Sequence, residues 1–216
     1  MARTIDTVLF DLDGTLIDSI PLIRASYLHT LTVHRGGEQD PAMWYRGLGR
    51  PLRWHFGQIT ADPEEVEAMI ATYREHNHAH HDAMVSAFPG AVEAVHALAA
   101  QGIKLGIVTS KLRKGAHKGL LHCGFGLEPF GAIIGMDDCA EHKPHPEPVR
   151  MALRLLGSTP ERAVMVGDSP YDLMSGKSAG TSTAAVAWGT FPREHLDAVP
   201  PDRWLPDPHA IRELAV

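Results

Sequence analysis

The sequence predicts an α/β fold: a Rossmann-like, mostly parallel sheet covered by helices, with an all-helical block inserted after its first strand. Three observations carry this. Residues 8–10 (Val-Leu-Phe) form a continuous apolar triplet rather than an alternating one, which fits a strand buried on both faces inside a parallel sheet. From Phe88 onward, strand-like runs alternate with helical segments closed by glycine, the pattern of a layered α/β domain. Between these two regions, residues 18–83 read as helical throughout, with no strand signal. A helical block that follows the first strand and precedes every other one is an insertion. The expected domains are therefore 1–17 with 84–216, and 18–83.

Within the insertion, 20–34 reads as an amphipathic helix presenting Ile20, Ile23, Tyr27, Leu28 and Leu31, with Asp18 or Ser19 as N-cap. Gly36 and Gly37 break it, and a short helical piece over 41–46 follows. The loop 47–51 is rich in breakers and flanked by Arg46, Arg50 and Arg53. Asp62 and Pro63 then open a helix that runs to about residue 81, the aspartate as cap and the proline in the first turn. Beyond the insertion, helices are expected at 89–101, 114–122, 147–156 and 170–179. Strands are expected at 103–109, 132–135, 163–167 and 183–187, and a last short helix near 209–214. Short crossover connections of this kind produce a parallel sheet.

Composition narrows the partners. Of the 216 residues, 44% are hydrophobic, enough for a substantial core. The net charge of −6 comes without a basic block, which argues against nucleic acid as a polymeric partner. A small anionic substrate needs only a local cationic pocket. Cys123 and Cys139 form no framework and no CxxC pair, as in a reducing interior. The N-terminal apolar run is broken by Asp6, Asp11 and Asp13, so it does not read as a signal peptide. No run approaches the roughly 18 apolar residues of a membrane span. A cytoplasmic chain without a membrane partner, monomeric or weakly dimeric, is the expectation.

In open parallel sheets, ligands bind beyond the carboxyl ends of the strands. Polar residues stand at those ends here: Asp11 and Asp13 after the first strand, Thr109, Ser110 and Lys111 after the second, Asp168 and Asp172 after the fourth. Residues two apart on an extended segment point the same way, so Asp11 and Asp13 can converge. Two such acids repel unless a cation or a shared proton relieves them. Carboxylates gathered in one crevice make a hard oxygen site suited to Mg²⁺. Hydroxyls and a lysine beside such an ion suit a phosphate. The loop 141–147 (EHKPHPE) adds Lys143, stiffened by two prolines, on the same edge. Each element also has a plainer reading: an acidic turn capping a helix, a polar strand end, a solvated lysine.

Taken as an ordered set, these elements resemble the haloacid dehalogenase-like (HAD) superfamily over essentially the whole chain. The matching residues are DLDGT at 11–15, Thr109 and Ser110 at the second strand end, Lys143 in KPHP, and GDSPYD at 167–172. The helical block looks like the small four-helix cap of the phosphoglycolate phosphatase-like branch. The runs TSKL, HKPHPEPV, GDSPYDLMSGKSAGT and AVAWG look most like that branch's pyrophosphatase members, a likeness to which the tract YREHNHAHHD adds.

The resemblance implies a Mg²⁺-dependent phosphohydrolase acting on a small phosphorylated metabolite, with pyrophosphate or 2-phosphoglycolate as leading substrates. Asp11 would attack phosphorus and form an aspartyl-phosphate. Asp13 would protonate the leaving group and then deprotonate the hydrolytic water. Asp11, the main-chain carbonyl of Asp13, and Asp168 would hold Mg²⁺, with Asp172 supporting through the metal's waters. Thr109 and Lys143 would neutralise the phosphoryl oxygens. Within the superfamily, metal-free dehalogenases lack the second acid, and phosphonatases need a cap lysine. Residues 1–103 contain no lysine at all. Sugar-phosphate mutases of the β-phosphoglucomutase type keep both acids and the same cap, and stay as the alternative. A non-catalytic phosphate-binding module would lack one of the motif residues, and every one is present.

Two further features stay open at this level. His76 and His80 are four apart on a helix and share a face, a spacing that suits a polar helix end, a contact to substrate oxygens or a second metal. Arg50, in the glycine-rich loop, suits either substrate recognition or a solvated surface.

Overall fold

The computed structural model describes residues 5–37 and 41–215. In chain order, β1 (Thr7–Phe10) and β2 (Ile17–Asp18) precede four helices, α1 (Ile20–Arg35), α2 (Pro41–Gly47), α3 (Leu52–Gly57) and α4 (Pro63–Met84). Then come β3 (Ser86–Ala87), α5 (Ala91–Ala100), β4 (Lys104–Val108), α6 (Arg113–His122), β5 (Phe130–Ile134) and α7 (Glu147–Leu156). The chain continues through β6 (Ala163–Gly167), α8 (Pro170–Ala179), β7 (Ser182–Val186), α9 (Arg193–Asp197) and β8 (Arg203–Leu205) to a 3-10 turn at Pro208–Leu214. It divides into two compact units, 1–18 with 86–216, and 19–85.

The first unit is the α/β fold read from the sequence. Six parallel strands run in the order β5-β4-β1-β6-β7-β8. β1 lies between β4 and β6, with Thr7 opposite both Lys104 and Ala163. That central place explains the unbroken apolar run, for Val8, Leu9 and Phe10 are fully buried. Helix α7 packs Val149, Ala152 and Leu153 onto Leu9, Val108, Ile134 and Met165 of the sheet. Each fully buried Val, Leu, Ile or Met among them contributes roughly 1.5–3 kcal/mol.

Three features of this unit refine the sequence reading. Asp18 belongs to a strand: Ile17 and Asp18 pair antiparallel with Ala87 and Ser86, so a two-stranded ribbon joins the ends of the excursion through residues 19–85. Two residues per strand are too few for periodicity to show. The stretch before Pro208 holds α9 and the edge strand β8, hidden by the prolines on either side of them. The closing segment is the expected short helix, of the 3-10 kind, with Asp207 Oδ1 accepting from the His209 and Ala210 N–H groups.

The second unit is four helices around Tyr27, Leu31, Phe56, Val66, Met69, Ile70 and Tyr73. Asp62 caps α4 as its sequence predicts, accepting from Glu64 N–H at 3.0 Å. The buried face of α1 differs from the expected one. Leu28 is exposed, while Leu22, Ser26 and Thr30 are buried with Tyr27 and Leu31. Ser26 and Thr30 can face inward because their hydroxyls donate to the carbonyls of Leu22 (2.9 Å) and Ser26 (2.8 Å) one turn back. Helix α3, unmarked in the sequence, carries Phe56 into this core. Among the described residues, no helix is long and apolar enough to cross a membrane.

His55 gives this unit a pH dependence. Its ring stacks on Tyr27 at 4.5 Å, and burial pushes its pKa down to about 4 against a hydrogen bond with the Met43 backbone. The unfolded chain titrates near 6.5, so the stability that neutral His55 contributes is complete above that pH. It is lost as pH falls, because only the unfolded chain takes up the proton. Urea unfolding of wild type and His55→Phe at pH 7.5 and pH 5 should show the difference between them shifting by about 2 kcal/mol, at wild type's expense in acid.

Candidate active site

β1 delivers Asp11, whose N–H extends the ladder by donating to Val166 O at 2.8 Å. The turn after it folds back tightly, with Leu12 O accepting from the Leu16 and Ile17 N–H groups at 3.0 and 3.1 Å. Gly14 sits in this turn at φ 82°, a conformation that side chains disfavour, and a Cβ there would overlap the Asp168 carboxylate. The acids therefore lie close because a glycine lets the turn run beside them.

Lys143 is the hub. It comes from the loop after β5, where the Lys143–Pro144 peptide is cis, and it is 5% exposed. Its ammonium donates to Asp11 Oδ1 at 2.8 Å, Asp172 Oδ1 at 2.6 Å and Val108 O at 3.0 Å. An ammonium has three N–H donors, so all are placed. Asp172 is held in turn by the start of α8: its Oδ2 accepts from Ser169 N–H at 3.0 Å and from the Ser169 hydroxyl at 2.6 Å. This reciprocal helix cap is part of GDSPYD, and it fixes the carboxylate that fixes the lysine. Asp168 Oδ2 accepts from Thr190 N–H at 3.0 Å.

Asp11, Asp168 and Asp172 are all buried, each offering a carboxylate oxygen within 4.8 Å of the other two. Burial pushes Asp11 up to about 7; Lys143 opposes this, while Asp172 and Asp13 add to it. Burial also lifts Asp168 well above the ordinary carboxylate value, with Asp172 and Asp11 contributing. Burial works against the Lys143 ammonium too, but Asp11 and Asp172 outweigh it and raise its pKa. One lysine does not offset three buried acids. An all-oxygen donor set with surplus negative charge fits a hard divalent cation.

The other predicted residues are distributed as follows. Asp13 lies outside that triad: its carboxylate accepts from Lys111 Nζ at 2.6 Å. Thr109 is buried at the end of β4, its N–H donating to Ile134 O at 2.9 Å and its Oγ1 accepting from Lys111 N–H at 3.2 Å. Ser110 follows it, partly exposed. Arg50, His76 and His80 belong to the helical unit. The Arg50 guanidinium lies over the Trp54 ring at 4.3 Å. His76 stacks between His29 at 4.5 Å and His80 at 4.2 Å, with its Nδ1 3.1 Å from the Ser26 hydroxyl. His80 Nδ1 lies 2.9 Å from the His76 carbonyl oxygen, which engages one ring nitrogen of this column. Two participants were not singled out from sequence, Ser169 and Thr190. Ser169 was legible as a capping serine three residues before Asp172; Thr190 acts through its backbone, which no side-chain pattern signals.

The sequence matches the haloacid dehalogenase-like hydrolase family over residues 8–186, which include Asp11, Lys143, Asp168 and Asp172. The chain belongs to this family. Pyrophosphatase PpaX of Anoxybacillus flavithermus is 46% identical over 93% of this chain and 92% of its own length. Pyrophosphatase PpaX of Halalkalibacterium halodurans is 44% identical over 94% of both chains. Among solved structures, CbbY from Rhodobacter sphaeroides in complex with phosphate superposes with a TM-score of 0.82 at 25% identity, covering 97% of this chain and all of that one. This chain is a HAD-family phosphatase.

Proposed function

We propose that this phosphatase is a Mg²⁺-dependent hydrolase that works through an aspartyl-phosphate at Asp11, with pyrophosphate as its leading substrate and 2-phosphoglycolate next. The observation that carries the chemistry is the buried Asp11–Lys143–Asp172 arrangement beside Asp168. It presents a carboxylate oxygen held by a fully engaged lysine, in a setting where negative charge is already in excess. The likeness to two PpaX pyrophosphatases over more than nine-tenths of each chain supports the choice of substrate.

In this reading Asp11, Asp168 and the Asp13 main-chain carbonyl would hold Mg²⁺. When bound, the ion supplies positive charge to the phosphoryl oxygens and relieves the repulsion among the acids. Lys143 keeps Asp11 aimed and then shares its donors with the incoming phosphate, which a carboxylate nucleophile would otherwise repel. Asp172 and Ser169 keep Lys143 in place. Thr109 offers its hydroxyl to the same oxygens, with Ser110 beside it. Asp13 passes a proton to the departing oxygen and later takes one from the attacking water. We assign the helical unit, residues 19–85, the part of the family's cap domain, with Arg50, His76 and His80 as its contributions to substrate choice.

Phosphate release measured with Mg²⁺ and with EDTA, on pyrophosphate, 2-phosphoglycolate and a sugar phosphate, tests this directly. The reading expects release only with Mg²⁺ and the highest kcat/KM on pyrophosphate. A tenfold preference (about 1.4 kcal/mol) for a sugar phosphate, or isomerisation of it without release, overturns the substrate assignment.

A further inference from the structure

Lys143 is taken up by two carboxylates and a carbonyl, yet a second ammonium stands at the other acid. Lys111 Nζ donates to Asp13 Oδ1 at 2.6 Å, and both side chains are 17% exposed. The lysine's main chain is held at both ends: its N–H donates to Thr109 Oγ1 at 3.2 Å, and its carbonyl accepts from Met136 N–H at 2.9 Å. Its aliphatic stem lies along Gly115, where a Cβ would come 3.0 Å from Lys111 Cγ. A stem seated against backbone, with the head group on a named partner, is a placed lysine rather than a solvated one.

We infer that Lys111 is a specificity-determining residue that favours substrates whose departing group keeps a negative charge. This rests on the reading in which Asp13 delivers the proton to that group. In the transfer, an Asp11 oxygen forms a bond to the terminal phosphorus as the bond from phosphorus to the bridging oxygen breaks. The electron pair stays on the bridging oxygen, which takes the proton of Asp13. From fully ionised pyrophosphate, orthophosphate then departs as HPO₄²⁻; from 2-phosphoglycolate, glycolate departs with its carboxylate. A sugar or glycerol departs as a neutral alcohol. An ammonium beside Asp13 stabilises the first two and does nothing comparable for the others.

The test compares wild type, Lys111→Met and Lys111→Arg by kcat/KM with Mg²⁺ on two substrate pairs. Pyrophosphate and 2-phosphoglycolate release charged groups; glycerol 3-phosphate and glucose 1-phosphate release neutral ones. Methionine keeps the stem and removes the charge, and far-UV circular dichroism checks that the variants fold. The charged pair should fall about 100-fold in K111M and the neutral pair no more than about fivefold, with K111R restoring the ratio. An equal fall for both pairs would make Lys111 a support for Asp13 and overturn the inference, leaving the Asp11 chemistry standing. Wild type that turns over only the neutral pair overturns the reading, and the inference with it.

Discussion

Replacing Lys143 with methionine should cost about 3–5 kcal/mol of folding stability at pH 7.5 in metal-free buffer, besides removing activity. The size follows from what the substitution leaves behind. Lys143 is enclosed with Asp11 and Asp172, and its removal strands two buried carboxylates without their cation. A buried pair contributes modestly in net terms, but removing one partner exposes the full desolvation cost of the other. Asp11 already titrates near 7 with the lysine present, so without it the carboxyl takes up a proton more readily still. The loss should therefore shrink as pH falls from 7.5 towards 5.5. Urea midpoints of wild type and K143M in EDTA at both pH values measure this. A loss under about 1 kcal/mol at pH 7.5 would mean that the two acids do not depend on Lys143 for charge balance.

Asp11→Asn should do the opposite to stability while abolishing catalysis. A folded-state carboxyl raised to about 7 from an unfolded value near 3.9 makes folding progressively less favourable as pH rises through that interval. Above pH 7 the whole penalty applies, because Asp11 is then charged in both states and buried in one. Asparagine keeps the shape and removes the charge. In metal-free buffer at pH 8, D11N should be more stable than wild type by about 2–3 kcal/mol, and the advantage should vanish near pH 4. Phosphate release should fall at least about 1,000-fold, since an amide cannot serve as the nucleophile. A site that is destabilised by its own reactive group is the expected signature of a stability–activity trade-off.

Much of this arrangement was legible before any coordinates. The apolar triplet before Asp11 marked a central strand, and the strand-end rule placed Asp11, Thr109, Asp168 and Asp172 on one edge of the sheet. Lys143 needed the stiff proline loop to be noticed, and the resemblance to be given a part. What sequence could not express was pairing. The spacing let Asp13 converge with Asp11, and its charge does raise the Asp11 pKa; what the spacing did not show is its pairing with Lys111, 98 residues away in sequence. Asp172 was read as a metal support; what the sequence did not show is that the same carboxylate also holds Lys143 and accepts from Ser169. The β2–β3 ribbon was too short to show a period, and Ser26 and Thr30, polar residues outside the apolar pattern of α1, are buried because their hydroxyls are satisfied within the helix. Periodicity reads side-chain polarity; it does not see where a hydroxyl's hydrogen bond goes.

The central claim is that Asp11 carries the phosphoryl group, and trapping that species tests it most directly. Asp13→Asn should slow the hydrolytic half of the cycle, and an aryl phosphate, whose leaving group departs without a proton from Asp13, should let the intermediate build up. After a few seconds with Mg²⁺ and the aryl phosphate, acid quenching and peptide mass spectrometry should find one phosphoryl group on the peptide that contains Asp11, and none when D11N is treated alike. A phosphoryl group on any other residue, or D11N turning over at the wild-type rate, would contradict the account.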